Sequence, residues 1–520
     1  MIFHSIDKLL QTNLTTEPIV IVGAGAIGLF LAKCLLDRGH KNVLLLEAGR
    51  AELGAFEPNS YRVVGRKHDG VRIGRSRSLG GTSNLWGGQL VEFADLDFRQ
   101  RDWVPNSGWP ISYDELRPHY LRSFELLGIA EKFLDDNVIW RGVVGAPPSV
   151  GPGVEIFLTR WMNVPSLALQ LRTDLYSSPH LRVLLNHTVN GFRFSSDSVS
   201  QVRVRTPENT DQYVPAGTVV IAAGTIESSR LMLAAAKDEC CPWRDNEMIG
   251  RRFQDHLGGK IATLRPKNRK EIDRIFATVR WKGLKFQPKV RLTRNLIEER
   301  KVLAALGMIC FESSVSENLN FLKQFLKAAI YSRRIHSVRD FMIHASSCMR
   351  YLPPLMLAYL KDHRIISPIN ASISLVVQAE QCPIDDSQIT IDEHVVDAVG
   401  LPQVILNWRL GGQELSSIRE LAVECDREFK AANLAELEID PLLLACDPKM
   451  LDKLRDTNHS AGGCIMSNFP DQGVVDRNLR IFGTQNAYIV GASTFPTSSD
   501  ANVTFTAMAL ACRLADNLTG

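Results

Sequence analysis

Gly23, Gly25 and Gly28 fall at GxGxxG spacing within IVIVGAGAIG (19–28), and Glu47 follows the last of them by 19 residues (47 − 28 = 19). That spacing suits a pyrophosphate. The first glycine permits a tight turn, the second lets the phosphate approach the backbone, and the third lets a helix pack closely on its strand. Ala26 and Ile27 open that helix, whose free N-terminal amides favour an anion. Glu47 can accept hydrogen bonds from both hydroxyls of an adenosine ribose, which disfavours a 2′-phosphate and leaves NAD or FAD. A second chemistry is offered by His459, in TNHSAGG, where small neighbours leave the imidazole accessible. An imidazole titrates near neutral pH and so suits a general base. Neither an HExxH motif nor a paired Cys/His spacing occurs in the chain, so no metal is expected.

These residues need elements to hold them. The apolar run before Gly23 reads as a buried strand, LFLAKCLLDRG as a helix stopped by glycine, and VLLLEAG as a second strand ending at Glu47. The loop RSRSLGGTSNLWGGQL (75–90) makes a poor helix and a poor strand, and its glycines expose backbone to a flat ligand. TVVIAAGTIESSRLML near 218–232 repeats the pattern of strand, glycine turn and helix around Gly224. The last residues give a strand (AYIVGAS), a proline-containing turn, and a helix (NVTFTAMALACRL) that starts at Asn502. Three such units, scattered along the chain, would converge on one elongated cofactor.

In order, these segments resemble the glucose–methanol–choline (GMC) oxidoreductase family of flavoproteins. The resemblance rests on IVIVGAGAIG with Glu47, LGGTSNLWGG, AAGTIESSRLML, IGRRFQDHL (249–257), NHSAGG (458–463), VVDRNLRIFG (474–483) and the C-terminal stretch from NAYIVGAS. GWPISYDELRPHY (108–120) is similar to the carbohydrate branch of the family, with its dehydrogenases and pyranose oxidase. The resemblance implies FAD, with Gly23, Gly25, Ala26, Ile27, Gly28 and Glu47 at its ADP half. Gly80, Gly81, Thr82, Trp86, Gly87 and Gly88 would lie along the pyrophosphate, ribitol and flavin. Val189 would meet the adenine through its backbone, and Gly224, Gly491, Ala492, Asn502, Val503 and Thr504 would complete the site. Leu85 stands where some relatives carry a histidine bonded to the flavin, so the FAD is expected to be non-covalent. Gly491 replaces the usual aspartate. The resemblance makes His459 the general base and Asn502 the hydrogen-bond donor to the developing alkoxide, in oxidation of an alcohol to a carbonyl. Its substrate would be a sugar or polyol, and oxygen, a quinone or a carrier protein would take the electrons. A cyanohydrin-cleaving lyase, oxidation of a non-sugar alcohol, and a non-enzymatic flavoprotein are the alternatives.

The implied fold is α/β: a Rossmann-like FAD-binding domain (15–150, 181–260 and 456–520) with an inserted α+β substrate domain (151–180 and 261–455) on a mostly antiparallel sheet. SISLVVQAEQC, SQITID and PQVILNWRL read as its strands, and SSIRELAVECDREFKAANLAEL as an amphipathic helix. Gln378 and Glu380, alternating on the first of these strands, are candidates to hydrogen-bond a polyol. Trp86, Trp109, Trp161 and Trp408 are either sugar platforms or core. His256, in RRFQDHL, is expected to support its loop. Residues 321–364 carry eight Lys or Arg against Asp340 and Asp362, either a lid with a solvated charged face or a peripheral contact with an anionic membrane. Over 520 residues the charge nearly balances, 60 basic against 57 acidic, which argues against nucleic acid as a partner. The ten cysteines include no CxxC, and no apolar run spans a bilayer, so a cytoplasmic protein is expected.

Overall fold

Continuous apolar tetrads such as IVIV, VLLL and TVVI can be buried on both faces only in a parallel sheet covered on each side. The computed structural model, which describes residues 1–12, 18–54, 60–313, 338–349, 364–365 and 370–519 with Asn318 and Phe325, contains that sheet. Its six strands run in the order Ile2–Phe3, Leu181–Leu184, Val43–Leu46, Ile19–Val22, Thr218–Ile221 and Ala487–Ile489, every neighbour parallel. Both ends of the chain therefore meet in one layer. The helix Ala26–Asp37 packs against the last helix, Val503–Thr519, which also lies on the helix Tyr113–Leu126. The Tyr120 and Thr506 hydroxyls are 2.6 Å apart across that second contact. A three-stranded antiparallel sheet, Thr188–Ser195, Ser198–Arg205 and Asp211–Pro215, flanks the cofactor sheet.

A ten-stranded antiparallel sheet forms the second layer, with Leu284–Leu292, Ala305–Glu312, Ser372–Ala379 and Leu257–Pro266 at its centre. Val154–Trp161 pairs with Leu284–Leu292 along its whole length, which brings residues before 180 into this sheet. The helix Glu414–Ala431 covers one face, and Ile418, Leu421, Ala422 and Cys425 are fully buried under it. The expected helix stops earlier than the sequence suggested, because Ala435–Ile439 becomes a strand on Leu257–Pro266.

Two expected boundaries shift. The division at 260/261 falls inside the strand Leu257–Pro266. Within 261–455, the hairpin of Gln388–Val396 and Pro402–Asn407 pairs in parallel with Tyr61–Val63 and so joins the cofactor side. The basic stretch 321–364 lies outside the described residues apart from Phe325, 338–349 and Arg364. Among the described residues, no helix is long and apolar enough to cross a membrane.

Glu380 corrects the sequence reading. It lies one residue beyond the strand Ser372–Ala379, 0% exposed, with its two oxygens taken by Arg101 at 2.8 and 2.5 Å and a further bond from the Ala304 amide at 3.0 Å. A carboxylate so buried must be paired, and alternation along a strand could not reveal a partner 279 residues away. Glu380→Gln is therefore expected to lower stability by about 3–5 kcal/mol, the effect of stranding one half of a buried ion pair. Chemical denaturation would show this, while a role in binding substrate would instead appear as a raised KM at unchanged stability.

Candidate active site

Three helices begin at the edge of one cavity of about 300 Å³. Ala26 and Ile27 of the first, Thr225 and Ile226 of the second, and Val503 and Thr504 of the third all line it. No side chain caps the first two helices, whose N-caps are Gly25 and Gly224, so their first amides are left to a ligand. A Cβ on either glycine would point into open space. Gly23 and Gly28 serve packing instead. A Cβ on Gly28 would lie 1.9 Å from the Gly23 carbonyl oxygen, and one on Gly23 2.8 Å from that of Ala222. Gly491 has φ +144, a conformation that side chains rarely adopt, so the glycine that replaces the usual aspartate has a backbone reason.

Glu47 lines the same cavity, held by the amides of Ala24 at 2.9 Å and Gly49 at 2.8 Å. Burial pushes its carboxyl up, and those two amides and Arg77 work against the shift. The second glycine loop lies directly on the first: the Gly80 amide donates to the Ala24 carbonyl at 2.8 Å, and a Cβ on Gly81 would lie 2.8 Å from the Cα of Gly25. Gly81, Thr82, Val189 and Ala492 also face the cavity. Trp86, Gly87 and Gly88 do not line it. They pack on residues 161–165, with Trp86 Nε1 donating to the Pro165 carbonyl at 2.8 Å and Gly87 against the Trp161 ring. The sequence reading missed Arg75 and Arg77, which bring cations to the cavity wall, with Arg75 bound to Glu227 at 2.8 Å. An elongated dinucleotide fits this donor set: a carboxylate for ribose, uncapped helix starts and arginines for phosphate, and glycine backbone between them.

Asn458 and Ser460 line the cavity on either side of His459, and Thr225 Oγ1 ties the segment to the second helix through the Ser460 carbonyl at 2.7 Å. His459 Nδ1 lies 2.9 Å from Thr457 Oγ1 and 3.2 Å from His256 Nδ1. His256 thus touches the candidate base itself, a closer role than loop support. Asn502 Oδ1 accepts from Gln378 Nε2 at 3.4 Å, and Gln378 also donates to the Asp500 carbonyl at 2.6 Å. Gln378 therefore ties the antiparallel sheet to the segment that carries Asn502. Trp408 and Trp109 are core residues, bonded to Gln381 and Thr497.

Asp255 organises the segment. Its Oδ1 accepts from the amides of Thr457 (3.2 Å) and His459 (3.0 Å), and its Oδ2 from His68 Nε2 (3.1 Å) and Ser460 Oγ (2.9 Å). Burial alone would raise this carboxyl, but the His68 hydrogen bond and the neighbouring imidazoles hold it below its ordinary value. His68, Asp255 and Asp456 approach within 4.8 Å of one another, a distance that suits a cation. Their carboxylate oxygens are already engaged, those of Asp456 by the amides of Asp69 and Gly70 at 2.7 and 2.8 Å. The donor set is that of a hydrogen-bonded brace.

A family profile described as GMC oxidoreductase matches residues 383–511, and one described as FAD dependent oxidoreductase matches 18–242. The chain is 22% identical to 2-methyl-1,2-propanediol dehydrogenase of Mycolicibacterium austroafricanum, over 98% of this chain and 96% of that protein. It is also 22% identical to the fructose dehydrogenase large subunit of Gluconobacter japonicus, over 96% and 97%. Among solved structures, pyridoxine 4-oxidase from Mesorbium loti shares the fold, with a TM-score of 0.57 at 16% identity over 96% of this chain and 99% of that one.

The brace makes a prediction. Asp255→Asn replaces acceptor lone pairs by N–H groups that face other donors, so stability should fall by about 3 kcal/mol. Because His459 is then misplaced, flavin reduction by substrate should slow by about 10-fold or more. Denaturation and anaerobic stopped-flow absorbance measure the two effects separately.

Proposed function

The chain belongs to the GMC oxidoreductases and is FAD-dependent, and on that premise we propose that it oxidises an alcohol group of a sugar or small polyol to a carbonyl, with His459 as the base. The relatives named above are two dehydrogenases and an oxidase, which favours oxidation over the lyase alternative. A diol and a ketose among their substrates support a polyhydroxylated substrate. Bound FAD would supply the hydride acceptor. Leu85, 44% exposed and without a nucleophile, supports a non-covalent cofactor.

The observation that carries this reading is the tautomer of the two imidazoles. His256 Nε2 faces the Ser498 carbonyl at 3.1 Å, and a carbonyl can only accept, so the His256 proton sits on Nε2. His256 Nδ1 is then bare, and at 3.2 Å the shared proton belongs to His459 Nδ1. That leaves His459 Nε2 unprotonated, ready to take a hydroxyl proton. Burial lowers His256, and burial, then the nearby His256, lower His459 to about 3 against the opposing pull of Asp255, with Lys289 adding to the shift, which favours the neutral forms. With the Asn502 carbonyl oxygen accepting from Gln378, its amide hydrogens would be left to donate to the oxygen that loses the proton. Such a fixed donor is worth about 3 kcal/mol where charge develops away from water.

His459→Gln with FAD retained is expected to slow anaerobic bleaching of the flavin by substrate by about 10²–10⁴-fold. The pH dependence carries a sign. A base with its pKa depressed stays competent as the pH falls, so kcat/KM should show no loss around pH 6.5, where an ordinary histidine would protonate. A limb near 6.5 assigned to His459 by its disappearance in the variant refutes the neutral-pair reading. A substrate that turns over without bleaching the flavin refutes oxidation.

A further inference from the structure

On the strand Leu284–Leu292, Phe286, Val290 and Leu292 enter the core, while Lys285, Gln287, Lys289 and Arg291 point to the opposite face. Lys289 is 6% exposed. Among the described residues its one hydrogen-bond contact is the thioether of Met308, at 3.4 Å. Its neighbours on this face are served: Arg291 is paired with Glu155, and Lys285 lies over the Trp161 ring at 3.3 Å. A buried ammonium without a carboxylate is costly, a cost that an arriving counter-charge would offset.

The face that carries Lys289 is the one that meets the catalytic pair. Val290 pairs with Gly307 and Arg291 with Leu306, which sets Lys289 across from Met308. Met308 pairs with Val376, and Gln378, which reaches Asn502, is the next residue on that face. Lys289 also acts electrostatically on His459 and on Asp500. Asp500 is a poor counter-ion. Burial lifts its carboxyl to about 7, and its oxygens make no bond to Lys289. Burial lowers Lys289 itself to about 8, and an anion beside it would favour its charged form.

We propose that Lys289 anchors a carboxylate on the substrate, so that the alcohol presented to His459 belongs to a hydroxy acid or polyol carboxylate rather than to a neutral sugar. The inference rests on reading this site as that of an alcohol oxidoreductase and narrows its substrate class. Met308 and Gln287, whose Nε2 lies 3.1 Å from the Met308 sulfur, form the wall beside the ammonium.

The test uses the FAD-loaded full chain and two probes of one shape, acetate and uncharged acetamide, titrated against the flavin absorbance spectrum. Acetate is expected to bind at least about 10-fold more tightly. Lys289→Met should abolish that preference and Lys289→Arg should keep it, with Lys289→Gln in reserve should the methionine variant not hold FAD. Equal affinity of the two probes for the unmodified enzyme overturns the proposal, as does a preference that survives in both neutral variants. Anaerobic bleaching by gluconate and by sorbitol separates this idea from the reading beneath it. Bleaching by sorbitol with no acetate preference overturns the anion site and leaves alcohol oxidation standing. An acetate preference that requires Lys289, in an enzyme that neither compound bleaches, supports the anion site and removes these alcohols from the oxidation reading.

Discussion

Asp255 keeps a negative charge where water does not reach, and the four donors that make this tolerable also hold residues 457–460 in place. A buried carboxylate is stable only if its lone pairs are filled, so the loop that carries His459 cannot move without exposing that charge to unpaired surroundings. His68 joins the brace from a region nearly 190 residues earlier, boxed between Phe253 and Trp408. The segment that carries His459 is thus fixed by electrostatics, while its small residues keep the chain thin beside the cavity.

Chain topology explains why so many remote segments are needed. In a parallel sheet the helix after each strand starts at the same edge, so Gly25 and Gly224 deliver their helices to one place. The last strand, Ala487–Ile489, extends the same order and brings the helix from Val503 to that edge. Adding the antiparallel sheet above this edge makes a floor and a roof. Gln378 spans the gap between them, from a roof strand to the first residues of the last helix.

How much of this was legible in the sequence follows from how far each interaction reaches. The glycine turns, the apolar tetrads and Glu47 are local patterns, and the cofactor sheet was readable from them with its helices. The loop at 75–90 was legible as glycine-rich, but only its first half meets the cavity, because Gly87 and Gly88 make room for Trp161 and Met162 from another layer. Glu380 misled because alternation on a strand gives the face and not the partner, and Arg101 lies on no strand at all. Asp255 stands within the motif FQDH, yet nothing local shows that its bonds run to 457–460. The hairpin at 388–407 was readable as strands but not as part of the cofactor side, since its pairing with Tyr61–Val63 is parallel and distant.

The neutral imidazole and the buried ammonium are best understood together. His459 is a weak proton acceptor as it stands, since burial, then His256, and last Lys289 oppose its protonated form, with Asp255 only partly offsetting them. Of these, the Lys289 contribution is the one the proposed substrate carboxylate would cancel. An anionic group seated on that ammonium removes the repulsion that a proton on His459 would feel, and expulsion of water strengthens whatever attraction replaces it. Basicity would therefore rise when a correctly charged substrate is in place and stay low otherwise. A neutral alcohol could fill the same space and still meet a weaker base, so that discrimination would fall on the rate of proton removal as well as on binding. On the proposed arrangement the lysine, unfavourable in the free protein, would make His459 responsive to the substrate it is proposed to deprotonate.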